Sequence, residues 1–445
     1  MIKMQHRSIV ILDGTRDYDC FNASLKVLLS ILTEDNNNEV TIFQLRDINI
    51  NHCIGCFSCW LKTPGKCIYI DHGSKIIQTV LTCHTLILFT PVAFGGFSSE
   101  LKKILDRFLP IILPFFTYID GETHHLSRYC KIPRFVGIGI TTDQQKKYSQ
   151  CFKILVGRNA INYHAPGYAA DVISGSATDA ELQHQFKKLL SNTDKYPGRD
   201  DLHNLTPPPA VPDNLKRKRS VLLLMGSPKI TSRSTSAVIG EYLLKKIGRH
   251  GYSTSSICIG EDLMQELGQK ALCSEVDRAG IIIIVSPLYV DSLPFLTTKA
   301  LETIFRYKKE IPDLNTKRVF AVVNSGFPEA YQNSIALTIC CHFTMECGMN
   351  WAGGLALGGA EALDLCKLPK YFSKISYSFL HHIVWSLNKA AKALAEGVAV
   401  PQEAIQLIAM TPFPFISFRI WRYFFVKKGT MLWKKKLQKI TLALK

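Results

Sequence analysis

The chain has 445 residues, too many for one hydrophobic core of ordinary size, so two or three domains are expected. Apolar residues make up 47% and charged residues 20%, which excludes a disordered chain. The formal net charge is +17, but nine Lys or Arg and no Asp or Glu fall between Thr411 and Lys445, and the rest is only mildly basic, which argues against a nucleic-acid-binding protein.

Met1 to Arg7 offers no apolar leader core and runs into Ser8–Asp13 (SIVILD), a short β-branched run ending at Gly14. This reads as a buried parallel strand and a turn. A helix-length stretch follows at Asn22–Leu32, then a second strand at Val40–Leu45. The loop beyond it holds Cys53, Cys56, Cys59 and Cys67, spaced C-x2-C-x2-C-x7-C, with Gly55, Pro64 and Gly65 among them. Short spacings let successive thiolates turn toward one centre, and four soft ligands suit an iron–sulfur cluster or zinc. A loop of partly buried thiols or a redox pair fits the same residues. The other ten of the 14 cysteines are scattered, which points to a reducing compartment and a cytoplasmic protein. The third strand, Thr85–Val92 (TLILFTPV), leads through a Gly-containing loop to a helix with Leu101 and Lys102. Phe135–Ile140 reads as the fourth strand. The pair His124-His125 follows a turn and reads as solvated.

Ser191–Arg219 carries Pro207, Pro208, Pro209 and Pro212 and then four basic residues, the composition of a linker. The pattern then restarts. Val221–Met225 (VLLLM) ends at Gly226, a helix-length stretch spans Ser234–Ile247, and a second strand spans Ser255–Ile259. Ile281–Leu288 (IIIIVSPL) matches the earlier third strand, with a helix around Thr298 and Lys299 and a fourth strand at Val319–Asn324. Alternating strands and helices imply crossover units and a parallel sheet in each half. One large α/β domain is the alternative. Past Pro401, aromatics from Phe413 to Trp433 are interleaved with cations, which suits either a segment lying on a membrane or a packed tail with its charges outward. No stretch is long enough for a membrane-spanning helix.

The turn from Gly226 to Ser236 (GSPKITSRSTS) joins a strand to a helix, where backbone N–H groups and the positive helix end converge on an anion. Hydroxyls and Arg233 add donors. The same serines would also serve simply as helix caps. No G-x-x-x-x-G-K-[ST] and no well-placed G-x-G-x-x-G occurs, which argues against an NTPase and a dinucleotide site.

GSPK…SRSTS after a strand resembles the phosphate loop of the NADPH-dependent FMN reductase and flavodoxin-like families. The resemblance implies two tandem flavodoxin-like α/β domains, each a doubly wound parallel sheet. It assigns the FMN phosphate to Ser227, Ser232, Arg233, Ser234 and Thr235. It assigns the flavin ring to the segment around Pro287, Leu288 and Tyr289 and to the loop with Asn324 and Gly326. In the first half, Pro91, Val92, Phe94 and Gly95 match the ring-side loop. The first loop there keeps Thr15, Arg16, Asn22 and Ser24 but sets Asp17 and Asp19 near the would-be phosphate, where they oppose a dianion. The cysteine loop resembles that of iron–sulfur flavoproteins, which implies a [4Fe–4S] cluster on Cys53, Cys56, Cys59 and Cys67. His72 follows Asp71 where such loops usually carry a second acid.

The expected organisation is a domain over 1–192 with the cysteine loop, a linker over 193–219, an FMN-binding domain over 220–400 and a basic aromatic tail over 401–445. The implied activity is FMN-dependent oxidation of NAD(P)H with reduction of a small acceptor such as a quinone or nitroaromatic. An iron–sulfur electron carrier and a non-enzymatic binding protein with decayed flavin sites are the alternatives. A homodimer and a peripheral membrane contact through the tail complete the expectations.

Overall fold

The structure, a computed structural model, describes residues 6–16, 19–141, 148–205, 207, 218–228, 234–360, 374–410 and 417–443. It divides into two compact units. The first comprises residues up to Ile119, His124–Asp201 and the chain from Leu432, and the second comprises Asp120–Thr123 and Leu202–Met431.

The first unit begins with β1 (Arg7–Asp13), α1 (Asp19–Thr33) and β2 (Asn38–Gln44), then the cysteine loop with the one-turn helix α2 (Ser58–Leu61). It continues through α3 (His72–Thr82), β3 (Thr85–Ala93), β4 (Gly96–Phe97) and α4 (Ser99–Leu105). A separate two-stranded ribbon, β5 (Ile112–Ile119) and β6 (Glu122–Ser127), precedes β7 (Arg134–Thr141), α5 (Ser149–Asn162), β8 (Tyr168–Ser174) and α6 (Asp179–Ser191). The five main strands are parallel in the order β2-β1-β3-β7-β8, and β4 pairs antiparallel with β3. Central strands are apolar at successive positions because both faces are covered. Ile9, Ile11, Ile87, Phe89, Val136 and Ile138 pack on Leu25, Leu28, Phe186 and Leu189 of α1 and α6. Val10, Leu12, Leu86 and Leu88, which alternate with them, are equally buried.

A short helix, α7 (Arg199–Asn204), lies inside the Pro-rich stretch expected to be a linker. The second unit then repeats the order of the first, with β9 (Ser220–Met225), α8 (Thr235–Gly248), β10 (Ser253–Cys258), α9 (Glu266–Arg278), β11 (Ile281–Pro287), α10 (Phe295–Arg306), β12 (Arg318–Asn324), α11 (Ser334–Glu346) and β13 (Asn350–Leu357). Its strands are parallel in the order β10-β9-β11-β12-β13. Two further helices, α12 (Lys374–Glu396) and α13 (Gln402–Ile408), follow, and Leu387, Ala404 and Ile408 join its core with Leu223 and Ile283. The last helix is α14 (Phe418–Ala443). Among the described residues no helix is long and apolar enough to cross a membrane.

Both sheets thus run 2-1-3-4-5, so the strand order reverses between the first and third strands and a crevice opens beyond their carboxyl ends. Equivalent hydrogen bonds frame the crevice within each unit. Gly14 N donates to Phe89 O and Gly226 N to Val285 O, each at 2.8 Å. Ser98 Oγ donates to Gly14 O at 2.7 Å, and Thr297 Oγ1 donates to Gly226 O at 3.2 Å. The helix after the third strand therefore presses on the first turn, and only glycine fits. A Cβ on Gly14 would lie 2.7 Å from Leu101 Cβ and 2.9 Å from Ser98 Oγ, and one on Gly226 would collide with Thr297 Oγ1 and Ser286 Oγ. Gly14→Ala and Gly226→Ala are each expected to destabilise their own unit by about 1–3 kcal/mol. Urea unfolding followed with probes for each unit checks this, and a loss shared equally by both units in either variant contradicts it.

Candidate active site

In the first unit the crevice opens where β1 ends. Asp13 and Thr15 are buried there, and the Thr15 amide donates to Asp13 Oδ1 at 2.9 Å. Arg46, just past β2, reaches across with Nη1 to Thr15 Oγ1 at 3.1 Å and lies 3.7 Å from Asp13 Oδ2. Arg16 Nη2 donates to Ser99 Oγ at 3.0 Å. Two guanidinium groups thus flank the turn, and the buried Asp13 carboxylate offsets one of them. Asp17 lies outside the described residues, and Asp19 opens α1.

The third-strand loop forms the other lip. Pro91 and Val92 are half-buried, whereas Phe94 and Gly95 are buried and left-handed, with φ of 54° and 88°. In the second unit the corresponding loop holds Val290 and Asp291 at φ 51° and 55°. A β-branched residue in that region costs about 1–3 kcal/mol, and such strain concentrates at functional loops.

The assigned residues of the second unit are brought to its crevice only in part. Ser227, Pro287, Leu288 and Tyr289 are half-buried around it. Ser234 caps α8, its hydroxyl accepting from Ala237 N at 3.1 Å, and Thr235 is the first helical residue. The Leu288 amide donates to Asn324 O at 2.8 Å, and Tyr289 pairs with Ser292 across a tight turn. Asn324 is 5% exposed, and its Nδ2 donates to Ser236 Oγ at 2.9 Å and Ser286 O at 3.0 Å, so it braces the crevice wall. Gly326 is exposed. Ser232 and Arg233 lie outside the described residues.

The four cysteines line one pocket together with Phe57, Tyr69, Arg107 and Leu109. Their loop turns tightly because Gly55 and Gly65 take left-handed conformations, at φ 63° and 82°. Phe57 does so too, at φ 56°, between Cys56 and α2. Its ring stacks on Trp60 with centroids 5.3 Å apart and meets Trp433 of α14 edge-on at 5.6 Å. The Trp60 indole N–H donates to Ile112 O at 3.0 Å. Packing of this kind holds a strained backbone in place. Cys59 is buried, Cys53 and Cys67 are half-buried and Cys56 is exposed. Burial pushes the Cys53 and Cys59 thiols up to about 12, so without an electrophilic partner both stay protonated.

Arg107 closes the base of the loop. Its side chain is fully buried, and Nη1 donates to Asn51 O at 3.1 Å and to Asp71 Oδ1 at 2.7 Å. Asp71 also accepts from the Asn51 amide at 2.8 Å and caps α3 through Gly73 N at 3.0 Å. The residues just before Cys53 and just after Cys67 are thereby held together. The Arg107 Nε–H is buried without an acceptor. A buried donor without an acceptor is costly, and a thiolate sulfur would satisfy it. The four soft donors fit that chemistry. Among the described residues, no three His, Cys, Asp or Glu side chains yet meet at one point as metal ligands.

The structure corrects one expectation. His124 is buried with Nδ1 2.9 Å from Asn162 Oδ1, and the His125 ring packs 4.8 Å from Trp60, because β6 brings both inward. Burial lowers the His125 pKa to about 3. Arg46 and Arg107 carry no motif of their own and were not singled out in the sequence. Arg107 does follow the i, i+4 pair Lys102 and Asp106, which form a buried ion pair at the end of α4.

The folds define two flavodoxin-like α/β units. Residues 8–114, within the first unit, match the family model of the NADPH-dependent FMN reductases. An iron–sulfur flavoprotein of Methanocaldococcus jannaschii is 39% identical over 77 residues, 17% of this chain and 39% of the relative. One of Archaeoglobus fulgidus is 32% identical over 106 residues, 23% of this chain and 46% of the relative. The chain thus spans less than half the length of the curated relatives it matches. An FMN-dependent NADH-azoreductase of Bacillus anthracis, solved with FMN, superposes with a TM-score of 0.32 at 14% identity, over 41% of this chain and 95% of that one.

Burial raises the Asp71 pKa, but the bonds from Arg107 and Asn51 outweigh it, and the carboxyl titrates below its ordinary value. Its contribution to stability is present above the unfolded carboxylate pKa, about 4, and is lost as pH falls through the lower folded value. Asp71→Asn is expected to cost about 2 kcal/mol at neutral pH and to flatten the acid limb of the first unit's stability curve. Urea titrations across the acid range check this, and a parallel shift at every pH contradicts it.

Proposed function

We propose that the chain is an FMN-dependent NAD(P)H oxidoreductase whose first unit holds the flavin at its crevice and a metal–thiolate centre in the cysteine pocket. The observation that carries this reading is the continuous path between the two. Ser98 caps α4, bonds to Gly14 and Thr90 at the crevice, and starts the segment that ends at Arg107, Leu109 and Pro110 in the pocket wall. From Ser99 to Arg107 the rise is about 12 Å. The family match falls on this same unit.

Each group has a role that follows from its position. Thr15, Arg16 and Arg46 bind the phosphate of the cofactor, with Arg16 held by Ser99 and Arg46 by Thr15. Pro91 and Val92 form the half-buried lip along the ring. Cys53, Cys56, Cys59 and Cys67 would hold the metal centre, with Arg107 in the wall of their pocket. FMN held there would supply hydride acceptance from NAD(P)H and onward electron transfer. The buried strands beneath the lip exclude water from its inner side. The acceptor is a small molecule such as a quinone or a nitroaromatic. The second unit keeps the same crevice frame, and Ser227, Pro287, Leu288 and Tyr289 are its candidates for a second flavin.

Protein purified without oxygen is expected to carry FMN and iron with acid-labile sulfide. Arg16→Ala with Arg46→Ala is expected to weaken FMN binding about ten- to hundred-fold, from the loss of charge-assisted bonds to phosphate. Ser227→Ala is expected to leave that site unchanged. Flavin fluorescence titration reads both. Tight FMN binding in the double arginine variant that disappears in Ser227→Ala would move the flavin to the second unit.

The helix α14 exposes Ile420, Tyr423, Phe424, Met431 and Leu432 along with Lys427, Lys428 and Lys434 to Lys436, and it contains no acid. That combination favours contact with an anionic lipid surface. Cosedimentation with anionic but not neutral vesicles is expected, abolished by charge reversal at Lys427 and Lys428. Equal recovery with both vesicle types refutes the contact.

A further inference from the structure

We infer that Arg107 is the positioning residue of the cysteine pocket, its unpartnered Nε–H held for a sulfur that carries negative charge. The inference rests on the reading of this pocket as a metal–thiolate site. It deepens that reading by naming the group that sets the centre's redox energy. Three observations carry it.

The first is placement. Arg107 lines the same pocket as the four cysteines, and its side chain is fully buried. The second is the inventory of its donors. The Nη1 end meets Asp71 and Asn51 O, and Nη2 reaches Tyr69 O at 3.4 Å. The Nε–H has no acceptor. The third is the wall around it. Ile54, Phe57, Leu109 and Pro110 contribute apolar side chains, so the thiols are the soft acceptors at hand. A neutral thiol accepts a hydrogen bond poorly, and a metal-bound thiolate or sulfide accepts it well. The donor is satisfied only when the pocket is loaded.

The charges divide the effect in two. Arg107 brings a cation to the pocket wall, and Asp71 brings an anion to the far side of the same guanidinium. Reducing a metal centre adds negative charge to it, so a nearby cation raises the potential and a nearby anion lowers it. Arg107 and Asp71 also clasp the loop ends together. A purely structural role would therefore make both substitutions act alike, whereas an electrostatic role makes them act oppositely.

The test uses the full chain reconstituted without oxygen with ferrous iron and sulfide, in wild type, Arg107→Gln, Arg107→Lys and Asp71→Asn. Iron and sulfide content, the visible spectrum and the midpoint potential of the metal centre are measured, with circular dichroism as the check on folding. Wild type is expected to take up iron and sulfide. Arg107→Gln is expected to bind about ten- to hundred-fold more weakly, and its residual centre to show a lower potential. Asp71→Asn is expected to show a higher one. If Arg107→Gln does not fold, Arg107→Lys is read in its place, and a lowered potential is expected there because the ammonium does not reproduce the Nε–H. Wild-type protein that takes up neither iron nor sulfide overturns the metal-site reading itself. Uptake by wild type with unchanged potentials in the arginine variants, or with shifts in the same direction for Arg107 and Asp71, overturns the role of Arg107 and leaves the site standing.

Discussion

The contact on which both units depend is the one between the first turn and the helix after the third strand. Gly14 meets Ser98 and Leu101, and Gly226 meets Thr297 and Ser286, at distances that admit no side chain. This closeness makes a crevice of the reversal in strand order. A parallel sheet covered on both faces has few places where backbone N–H groups reach solvent without a partner strand, and the carboxyl ends beside the reversal are such a place. The hydroxyls of Ser98 and Thr297 satisfy the turn carbonyls, and the turn amides of Gly14 and Gly226 donate to Phe89 O and Val285 O, so each first turn is pinned to the third strand and to the segment beyond it.

The same frame has been filled differently in the two units. In the first, Arg16 and Arg46 stand at the turn, and the loop beyond β2 has grown into the cysteine pocket. In the second, β10 runs to Cys258 and the chain continues directly toward α9, with no cysteine cluster. The serines there act at least partly as helix caps, as Ser234 does. Asn324 is engaged with Ser236 and Ser286 and stiffens the wall. Duplication of the scaffold therefore need not mean duplication of the chemistry.

Much of the fold was legible in the sequence because buried parallel strands leave an unbroken apolar run. Four strands of each unit lie within two residues of where the apolar runs place them. The fifth strands escaped notice, since Tyr168–Ser174 contains Asp171 and Asn350–Leu357 contains Gly353 and Gly354, and each is an edge with weaker pressure to be apolar. The ribbon of β5 and β6 was missed as well, and with it the burial of His124, because β5 is interrupted by Pro114 and β6 (ETHHLS) is polar at positions that only tertiary packing covers. The cysteine spacing was plain, but what surrounds it was not. Arg46 and Arg107 are single cations separated from their partners by 31 and 36 residues, and no local pattern marks them.

Trp433 shows how far such partners can lie. It comes from the last helix, yet it is 8% exposed and packs against Phe57 and Trp60 beside the second and third cysteines. Phe57 occupies a left-handed conformation that an aromatic residue adopts only under constraint, and the constraint is this stack. The backbone turn that lets Cys56 and Cys59 share a pocket is thus held by a residue nearly four hundred positions away. The clasp of Arg107 and Asp71 fixes the ends of the same loop, and the aromatic stack fixes its middle. A thiolate site needs both, because four ligands on a slack loop would lose on ordering what they gain on binding. The metal chemistry proposed for the first unit is therefore a property of the loop and its distant supports together, and not of the four cysteines alone.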